Sequence, residues 1–241
     1  MWKFKRINFA EILSDQKYIA FTGSGGKTSL TESLAMEFLK RGRTVAITTT
    51  TKIFAKEPYI IFDENFSAGR KENFIRVGRD IEKGKLTALG FEDVKMLGEI
   101  YDVVLIEADG AKGMPVKFPA NYEPVIPSFC EKIVVTFGLD GFNRRVDEAV
   151  FRWQIFCNVT GISPDSLIDW NIFFRLFAPD ALLKGIDIGR CIVVLNKYDI
   201  SSTRKELIER GKELIEHTGI MELIISSALF NVSYGIEILD L

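Results

Sequence analysis

Apolar residues recur along this chain in continuous runs and in helix-spaced stripes. Short continuous runs predict strands buried on both faces, and they lie at 18–22, 44–48, 101–106, 132–137, 191–195 and 221–225. Between the first two runs, Leu30, Leu34 and Phe38 recur every four residues, which predicts a helix over 28–41 with one buried face. Alternating strands and helices predict an α/β fold, with a mostly parallel, doubly wound sheet in a single domain spanning 1–241.

Three stretches have weaker patterns. Residues 1–17 predict an irregular or short helical lead-in, and residues 55–90 predict a small irregular insertion with a hairpin that decorates the main sheet. Residues 147–183 are rich in aromatic side chains and predict two or three helices. Such an aromatic cluster is more typical of a core or a subunit interface than of a cofactor site, so the sequence is compatible with a homodimer.

Composition narrows the class of protein. The chain has 241 residues, 47% of them apolar, and a net charge of −2 without a long basic run, which argues against nucleic acid as a partner. No apolar stretch is long enough to span a bilayer, and the start lacks the apolar segment of a signal peptide. His217 is the only histidine and the three cysteines are scattered, which argues against Ser-His-Asp chemistry and zinc. We therefore expect a cytoplasmic protein with no membrane partner.

A glycine-rich loop joins the first apolar run to the first amphipathic helix. This strand–loop–helix context predicts a phosphate-binding P-loop, in which glycines let successive N–H groups face an anion. Lys27 would reach the β- and γ-phosphates, and the Thr28 hydroxyl would hold Mg2+. The loop is compact, because Phe21 stands where the usual motif begins with glycine, and the alternative is an ordinary tight turn. The predicted nucleotide-binding residues are Gly23, Ser24, Gly25, Gly26, Lys27, Thr28 and Ser29.

Two carboxylates end the third buried run. Glu107 and Asp109 are two residues apart, so they point the same way in an extended chain. Beside a P-loop, this is the position of a Mg2+ ligand and of a carboxylate that orients water. The sequence leaves open which of the two binds metal, and whether both instead cap the following turn. Together with Lys27 they are the predicted catalytic residues, and with Thr28 they are the predicted metal ligands.

Further candidates follow the second and third strands. Thr50 lies in a run of threonines that either forms a strand edge or approaches the phosphates. Lys112 and Lys117 lie in a proline-punctuated loop after the acidic strand end, where they either contact an anionic second substrate or are solvated. Of three later arginines that could approach a phosphate, at 144, 145 and 152, we select Arg145 as the candidate substrate ligand.

A base-reading motif follows the fifth buried run. Asn196, Lys197 and Asp199 form Asn-Lys-x-Asp, and an aspartate can accept from both N1–H and the 2-amino group of guanine. Ser-Ala follows the next strand and would place the Ala228 N–H against guanine O6. A lost hydrogen bond to a charged group costs about 1.5–3 kcal/mol, so this arrangement favours GTP over ATP. The alternative is that Asn196 and Asp199 cap a loop.

Several of these segments together resemble the YqeC-like family, described as accessory proteins of selenium-dependent molybdenum hydroxylases. The resemblance rests on Gly-Ser-Gly-Gly-Lys-Thr, the threonine run, Glu-Ala-Asp-Gly-Ala-Lys at 107–112, and Glu-Pro-Val-Ile-Pro at 123–127. It implies a P-loop fold and a role in cofactor maturation, with a molybdenum hydroxylase or a maturation protein as partner. Two family histidines are absent, since Tyr122 precedes Glu-Pro and 143–146 reads Asn-Arg-Arg-Val. The compact loop also resembles that of Mur-type ligases.

Three functions remain open from the sequence. The first is a Mg2+-dependent NTPase, with GTP favoured, that assists maturation of a molybdenum hydroxylase or its cofactor. The second is an ATP-dependent kinase or ligase that acts on a small anionic substrate. The third is a nucleotide-gated binding module without appreciable turnover. A fold does not distinguish among them.

Overall fold

The computed structural model describes residues 2–63, 66, 72–203, 205–230 and 232–238. Its strands are β1 (Trp2–Ile7), β2 (Tyr18–Gly23), β3 (Val45–Thr49), β4 (Lys52–Phe54), β5 (Tyr59–Ile61), β6 (Phe74–Gly78), β7 (Ile81–Glu82), β8 (Lys85–Thr87), β9 (Val103–Glu107), β10 (Val116–Lys117), β11 (Lys132–Gly138), β12 (Val150–Phe151), β13 (Cys191–Asn196), β14 (Glu222–Ser227) and β15 (Val232–Ile238). Its helices are α1 (Phe9–Ile12), α2 (Lys27–Lys40), α3 (Phe91–Ile100), α4 (Val146–Ala149), α5 (Trp153–Thr160), α6 (Trp170–Leu176) and α7 (Leu207–Thr218).

One sheet organises these elements. Its strand order is β1-β15-β14-β13-β11-β2-β9-β3-β6-β5, and every pair from β14 to β5 is parallel. The strand that enters the glycine-rich loop, β2, therefore lies between the acidic strand β9 and β11. Parallel strands present their carboxyl ends at one edge, so the loop after β2 and the ends of β9, β11 and β13 meet there.

Helices cover both faces of this sheet, as predicted for a doubly wound fold. On one face, α1 and α2 pack on alternate residues of the central strands, including Phe21, Val134 and Val194. On the other face, α3 covers β9, α5 and α6 cover β11 and β13, and α7 covers β14 and β15. The aromatic region is largely core here, because Phe156, Phe173 and Phe177 are fully buried. The α/β, mostly parallel architecture expected from the sequence is thus confirmed.

The structure differs from the sequence predictions at the two ends of the sheet. The lead-in contains strand β1, which pairs antiparallel with β15, so the first and last strands of the described chain are neighbours in the sheet. In the 55–90 segment the predicted hairpin is present as β7 and β8, but β5 and β6 extend the main sheet. Arg76 is buried within β6, which obscures its pattern. No helix in the described ranges is long and apolar enough to cross a membrane.

Candidate functional site

The glycine-rich loop turns where side chains do not fit. Gly23, Gly25 and Gly26 all have positive φ, at 87°, 81° and 108°. A Cβ on Gly25 would overlap the backbone of Gly138, and one on Gly26 would lie 2.6 Å from Asn196 Nδ2. Three glycines are therefore required by both backbone conformation and close packing. The loop packs closely against Gly138 at the end of β11 and Asn196 at the end of β13, and these contacts restrict its shape.

Backbone N–H groups divide into two sets along this loop. The N–H of Ser24 donates to Thr136 O at 2.9 Å and that of Gly25 donates to Met114 O at 3.3 Å, so both face protein carbonyls. This differs from the expectation that N–H groups from Gly23 onward face an anion, because the compact loop continues along β11. Within the described residues, no acceptor is found for the N–H groups of 26–29 at the start of α2. These unsatisfied donors and the helix dipole favour an anion there.

Asp109 lies at the centre of a buried charge cluster. Its Oδ1 is 2.8 Å from Lys27 Nζ, and its Oδ2 is 3.0 Å from Lys117 Nζ. Oδ2 also accepts from the Thr22 hydroxyl at 2.8 Å and the Gly23 N–H at 2.9 Å. Burial raises the pKa of Asp109, but the two ammonium groups outweigh it and the pKa lies below its usual value. Asp109 is therefore the counter-ion of Lys27.

Glu107 occupies a different environment from Asp109. It accepts a hydrogen bond from the Thr28 hydroxyl, and burial raises its pKa despite the nearby Lys27 charge. A cavity of about 30 Å³ beside these two side chains is also lined by Glu32 and the buried Arg76, which the sequence analysis did not single out. No described part of the chain gathers three or more potential His, Cys or acidic metal ligands. A metal held by Thr28 and Glu107 would take its other ligands from water and phosphate, as Mg2+ commonly does.

The ion pairs continue from Asp109 away from the P-loop. Lys117 Nζ, which is 1% exposed, also lies 2.7 Å from Glu123 Oε2 and donates to Gly110 O at 2.9 Å. Glu123 in turn pairs with Arg152, whose Nη2 is 3.1 Å from Oε1. Glu123 received no role from the sequence, because nothing in its spacing from Lys117 or Arg152 indicates contact. Lys27, Asp109, Lys117, Glu123 and Arg152 thus form one connected chain of charges.

The predicted base-reading residues meet the P-loop. The Asn196 side chain donates to Gly25 O at 2.9 Å, and its Oδ1 accepts from the Ala228 N–H at 3.2 Å. Asn196 therefore braces the P-loop against the segment after β14. The Ala228 N–H, expected to face a base oxygen, is directed at Asn196 in this structure.

Lys197 and Asp199 complete the motif on the outer side. The Ser227 hydroxyl donates to Asp199 Oδ1 at 2.6 Å, so the two consecutive loops of the predicted base site are in contact. Lys197, with φ of 66°, is 2.6 Å from Asp140 Oδ2. The sequence motif is therefore assembled, with Asp199 oriented by a serine and Lys197 held by an aspartate that the sequence did not single out as a partner.

The candidate substrate residues fall into different settings. Lys117 is in the charge chain, and the exposed Lys112 has its Nζ 5.7 Å from the ring centre of Phe151. Thr50 instead donates to Val125 O at 2.6 Å and braces the 123–127 loop. Arg145 forms a two-pronged pair with Asp147 at the surface. Of the three arginines considered, only Arg152 joins the charge chain, so the selection of Arg145 for that position is not supported by its contacts.

The chain is similar to known proteins in both sequence and structure. The model of the family described as YqeC protein matches residues 19–154. A relative from Escherichia coli (strain K12), "Uncharacterized protein YqeC", is 31% identical over 195 residues, which is 75% of each chain. Among solved structures, the chain is similar to the MinC:MinD cell division protein complex of Aquifex aeolicus, with a TM-score of 0.42, 16% identity, and coverage of 87% of this chain and 81% of that chain. With its glycine-rich loop between a central parallel strand and a helix, this chain belongs to the YqeC protein family.

Proposed function

We propose that this protein is a Mg2+-dependent nucleotide-binding protein of the P-loop type that prefers GTP. One observation carries the proposal: Lys27 lies at a helix start whose N–H groups at 26–29 lack acceptors in the described structure, and its charge is balanced by Asp109 at 2.8 Å. A γ-phosphate at this position would replace Asp109 as the partner of Lys27. The remaining N–H groups would hold the phosphates next to it.

The metal role falls to Glu107 rather than Asp109. Both oxygens of Asp109 are engaged by ammonium groups, which leaves them less available to a metal, and its lowered pKa makes it a weak base. The Glu107 carboxylate and the Thr28 hydroxyl are adjacent oxygen ligands of the kind that Mg2+ prefers. A dication bound to them would oppose the effect of burial and lower the pKa of Glu107. When bound there, Mg2+ would neutralise charge that develops on the transferred or hydrolysed phosphoryl group.

The roles assigned to Glu107 and Asp109 also predict the rate of nucleotide hydrolysis. Glu107 is committed to the metal, and Asp109 stays paired with Lys117 after the phosphate takes over Lys27, so neither carboxylate is a good base for an attacking water. We therefore infer that hydrolysis by the isolated protein is slow, and that it accelerates only when a substrate or protein partner completes the site. A nucleotide-gated module and a slow NTPase then differ only in their rate of nucleotide hydrolysis, and a measurement of that rate distinguishes them.

Base preference rests on Asp199. Each carboxylate oxygen has two lone pairs, so Oδ1 can accept from Ser227 and still bind a base, while Oδ2 has no donor among the described residues. This carboxylate suits the N1–H and 2-amino donors of guanine, whereas adenine offers an acceptor at N1. Replacing Asp199 with Asn removes this discrimination and should lower the affinity for GTP relative to ATP.

The biological role proposed here is maturation of a selenium-dependent molybdenum hydroxylase or of its cofactor, and it rests on the family resemblance. A second candidate function is favoured by a separate observation. The cations at the far end of the charge chain, Lys117 and Arg152, lie on a single aromatic ring with Lys112. Such a cluster suits the small anionic substrate of a nucleotide-dependent kinase or ligase.

The direct experiment is thermal unfolding with Mg2+ and each of GTP, GDP, ATP and ADP. A ligand at 100 times its dissociation constant should stabilise the protein by about 2.7 kcal/mol. Stabilisation by guanine nucleotides in the unmodified protein, with the preference for guanine lost in Asp199→Asn, supports the proposal. Stabilisation by adenine nucleotides alone reduces Asn196 and Asp199 to loop braces and favours the kinase or ligase. No stabilisation by any of the four contradicts nucleotide binding.

A further inference from the structure

Three cations surround the ring of Phe151. Arg152 Cζ, Lys112 Nζ and Lys117 Nζ lie 4.8, 5.7 and 5.9 Å from the ring centre. The pairing of the short strands β10 and β12 creates this arrangement, because it sets Lys117 directly opposite Phe151. Cations gathered on one ring repel one another, and the ring quadrupole offsets only part of that repulsion. The cluster therefore requires anions to stabilise it.

The protein supplies fewer anions than the cluster can accept. Glu123 is shared between Lys117 and Arg152, and Asp109 is shared between Lys117 and Lys27. Lys112 has no carboxylate within ion-pair distance in the described structure, although its Nζ carries three donors. The guanidinium of Arg152 also has more donors than its bonds to Glu123 and to the Tyr122 hydroxyl at 3.2 Å use.

The backbone presents Lys112 in a strained conformation. Its φ is 49°, in the left-handed region where glycine or asparagine costs less, and Gly113 follows with φ of 76°. A lysine held in this region is strained, and such strain clusters at ligand sites. Lys112 is exposed, so burial of its side chain does not offset that cost. A functional contact at the ammonium group is consistent with a lysine at this position.

We propose that Lys112 and Arg152, above the ring of Phe151, form a binding subsite for an oxyanion of a small second substrate, either a carboxylate or a phosphate. Tyr122, which is 71% exposed, borders the subsite through its bond to Arg152. Lys117 is buried beside the subsite, against the same ring of Phe151. It is not free to bind the substrate, because its ammonium group already contacts Asp109, Glu123 and Gly110 O.

The subsite is connected to the P-loop through one carboxylate. Lys117 and Lys27 bracket Asp109 from opposite oxygens, so a phosphate on Lys27 and an oxyanion at the subsite would share this buried ion-pair chain. As the second-substrate site of a nucleotide-dependent reaction, the assignment rests on the proposed function. As an anion site, it stands independently.

The test is isothermal titration with inorganic phosphate, and in a separate arm with acetate, of protein with and without saturating Mg2+ and GDP. Lys112→Ala is compared with Lys83→Ala, which removes another exposed lysine whose φ is 50°. Arg152→Lys keeps the charge but loses the planar fork. We expect one anion per chain with GDP bound, binding at least 10-fold weaker in Lys112→Ala and Arg152→Lys, and no change in Lys83→Ala. Phosphate or acetate binding alone identifies the oxyanion class.

Two outcomes overturn the subsite. One is anion binding that is equal in Lys112→Ala and the unmodified protein, and the other is no binding of either probe at 10 mM, a concentration at which even a weak site, with Kd of about 1 mM, is mostly filled. The proposed function fails separately, if nucleotides do not bind while phosphate binding still depends on Lys112. Unfolding temperatures of the variants confirm that each is folded before it is titrated.

Discussion

Replacing Asp109 with Asn separates its role from that of Glu107. The change removes a charge that contacts Lys27 at 2.8 Å and Lys117 at 3.0 Å, while the amide keeps the size and one acceptor for Thr22 or Gly23. Lys117 remains compensated by Glu123 at 2.7 Å. Lys27, which is 5% exposed, keeps its bond to Gly23 O but loses its one ion-pair partner among the described residues.

The expected cost follows from that single uncompensated charge. Breaking a buried ion pair by removing one partner costs about 3–5 kcal/mol. For a chain of this size, 1 kcal/mol corresponds to about 2–4 °C, so the unfolding temperature of nucleotide-free Asp109→Asn should fall by roughly 6–20 °C. Urea denaturation gives the free energy of unfolding directly and shows, through an unchanged slope, that the native state is intact.

Nucleotide should rescue the Asp109→Asn protein. The phosphate supplies the charge that Lys27 has lost and no longer competes with a carboxylate, so Mg2+ and GTP should stabilise this variant by more than they stabilise the unmodified protein. Glu107→Gln is the matched control: its nucleotide-free stability should be unchanged or higher, because a desolvated carboxylate is removed, while the Mg2+-dependent part of the stabilisation is lost. The reverse pattern, with metal dependence lost only in Asp109→Asn, would refute the assignment of the two acids.

Acid unfolding gives a second view of the same pair. The ion pairs hold the pKa of Asp109 below that of the unfolded chain, about 3.9, so its contribution is complete above that pH and is lost as the pH falls. The stability gap between the unmodified protein and Asp109→Asn should therefore narrow below about pH 4. Glu107 has a raised pKa, so the advantage of Glu107→Gln should instead grow as the pH rises from about 4.3 through that raised value.

Other predictions concern packing and thiol chemistry. Gly25→Ala should destabilise the protein and prevent nucleotide binding, since its Cβ overlaps neighbouring backbone at φ of 81°; wild-type unfolding and binding curves for this variant would contradict the loop geometry. Asn196→Ala should lower the free energy of unfolding by about 1–3 kcal/mol, because a buried carbonyl loses its donor, and urea titration measures it. Native protein at pH 8 should be alkylated by iodoacetamide only at Cys157, because burial raises the pKa of Cys130 and Cys191 to about 12; mass spectrometry of folded protein showing all three modified would argue against this core.

The central sheet could be predicted because its strands carry their signal locally. The runs that became β2, β9, β11 and β13 are continuously apolar, and this alone indicates strands covered on both faces. Strand β1 could not be predicted in this way, because basic residues interrupt its apolar positions and it forms only by pairing with β15 at the far end of the chain. The same holds for β6, where the buried Arg76 breaks the apolar pattern and is compensated by Glu32 from α2.

The candidate site shows the same difference between residues with a local sequence signal and residues brought in by long-range contacts. Lys27, Glu107 and Asp109 could be found because a motif and a strand end place them near one another. Their separate roles could not be predicted, because these depend on Lys117, whose ammonium group contacts Asp109 from the short strand β10, and nothing in the sequence spacing indicates that contact. Arg152 shows the limit most clearly: from three candidate arginines the sequence analysis selected Arg145, whereas the pairing of β10 with β12 places Arg152, the residue after β12, near Lys117.

The central claim is that Lys27 exchanges the carboxylate of Asp109 for a nucleotide phosphate. Isothermal titration of Mg2+ and GTP into the unmodified protein and into Lys27→Ala tests it most directly. The account predicts one site per chain in the unmodified protein and affinity at least 100-fold weaker in Lys27→Ala, the equivalent of about 2.7 kcal/mol of lost charged hydrogen bonding. Equal affinity in the two proteins, or no binding to either, would contradict it.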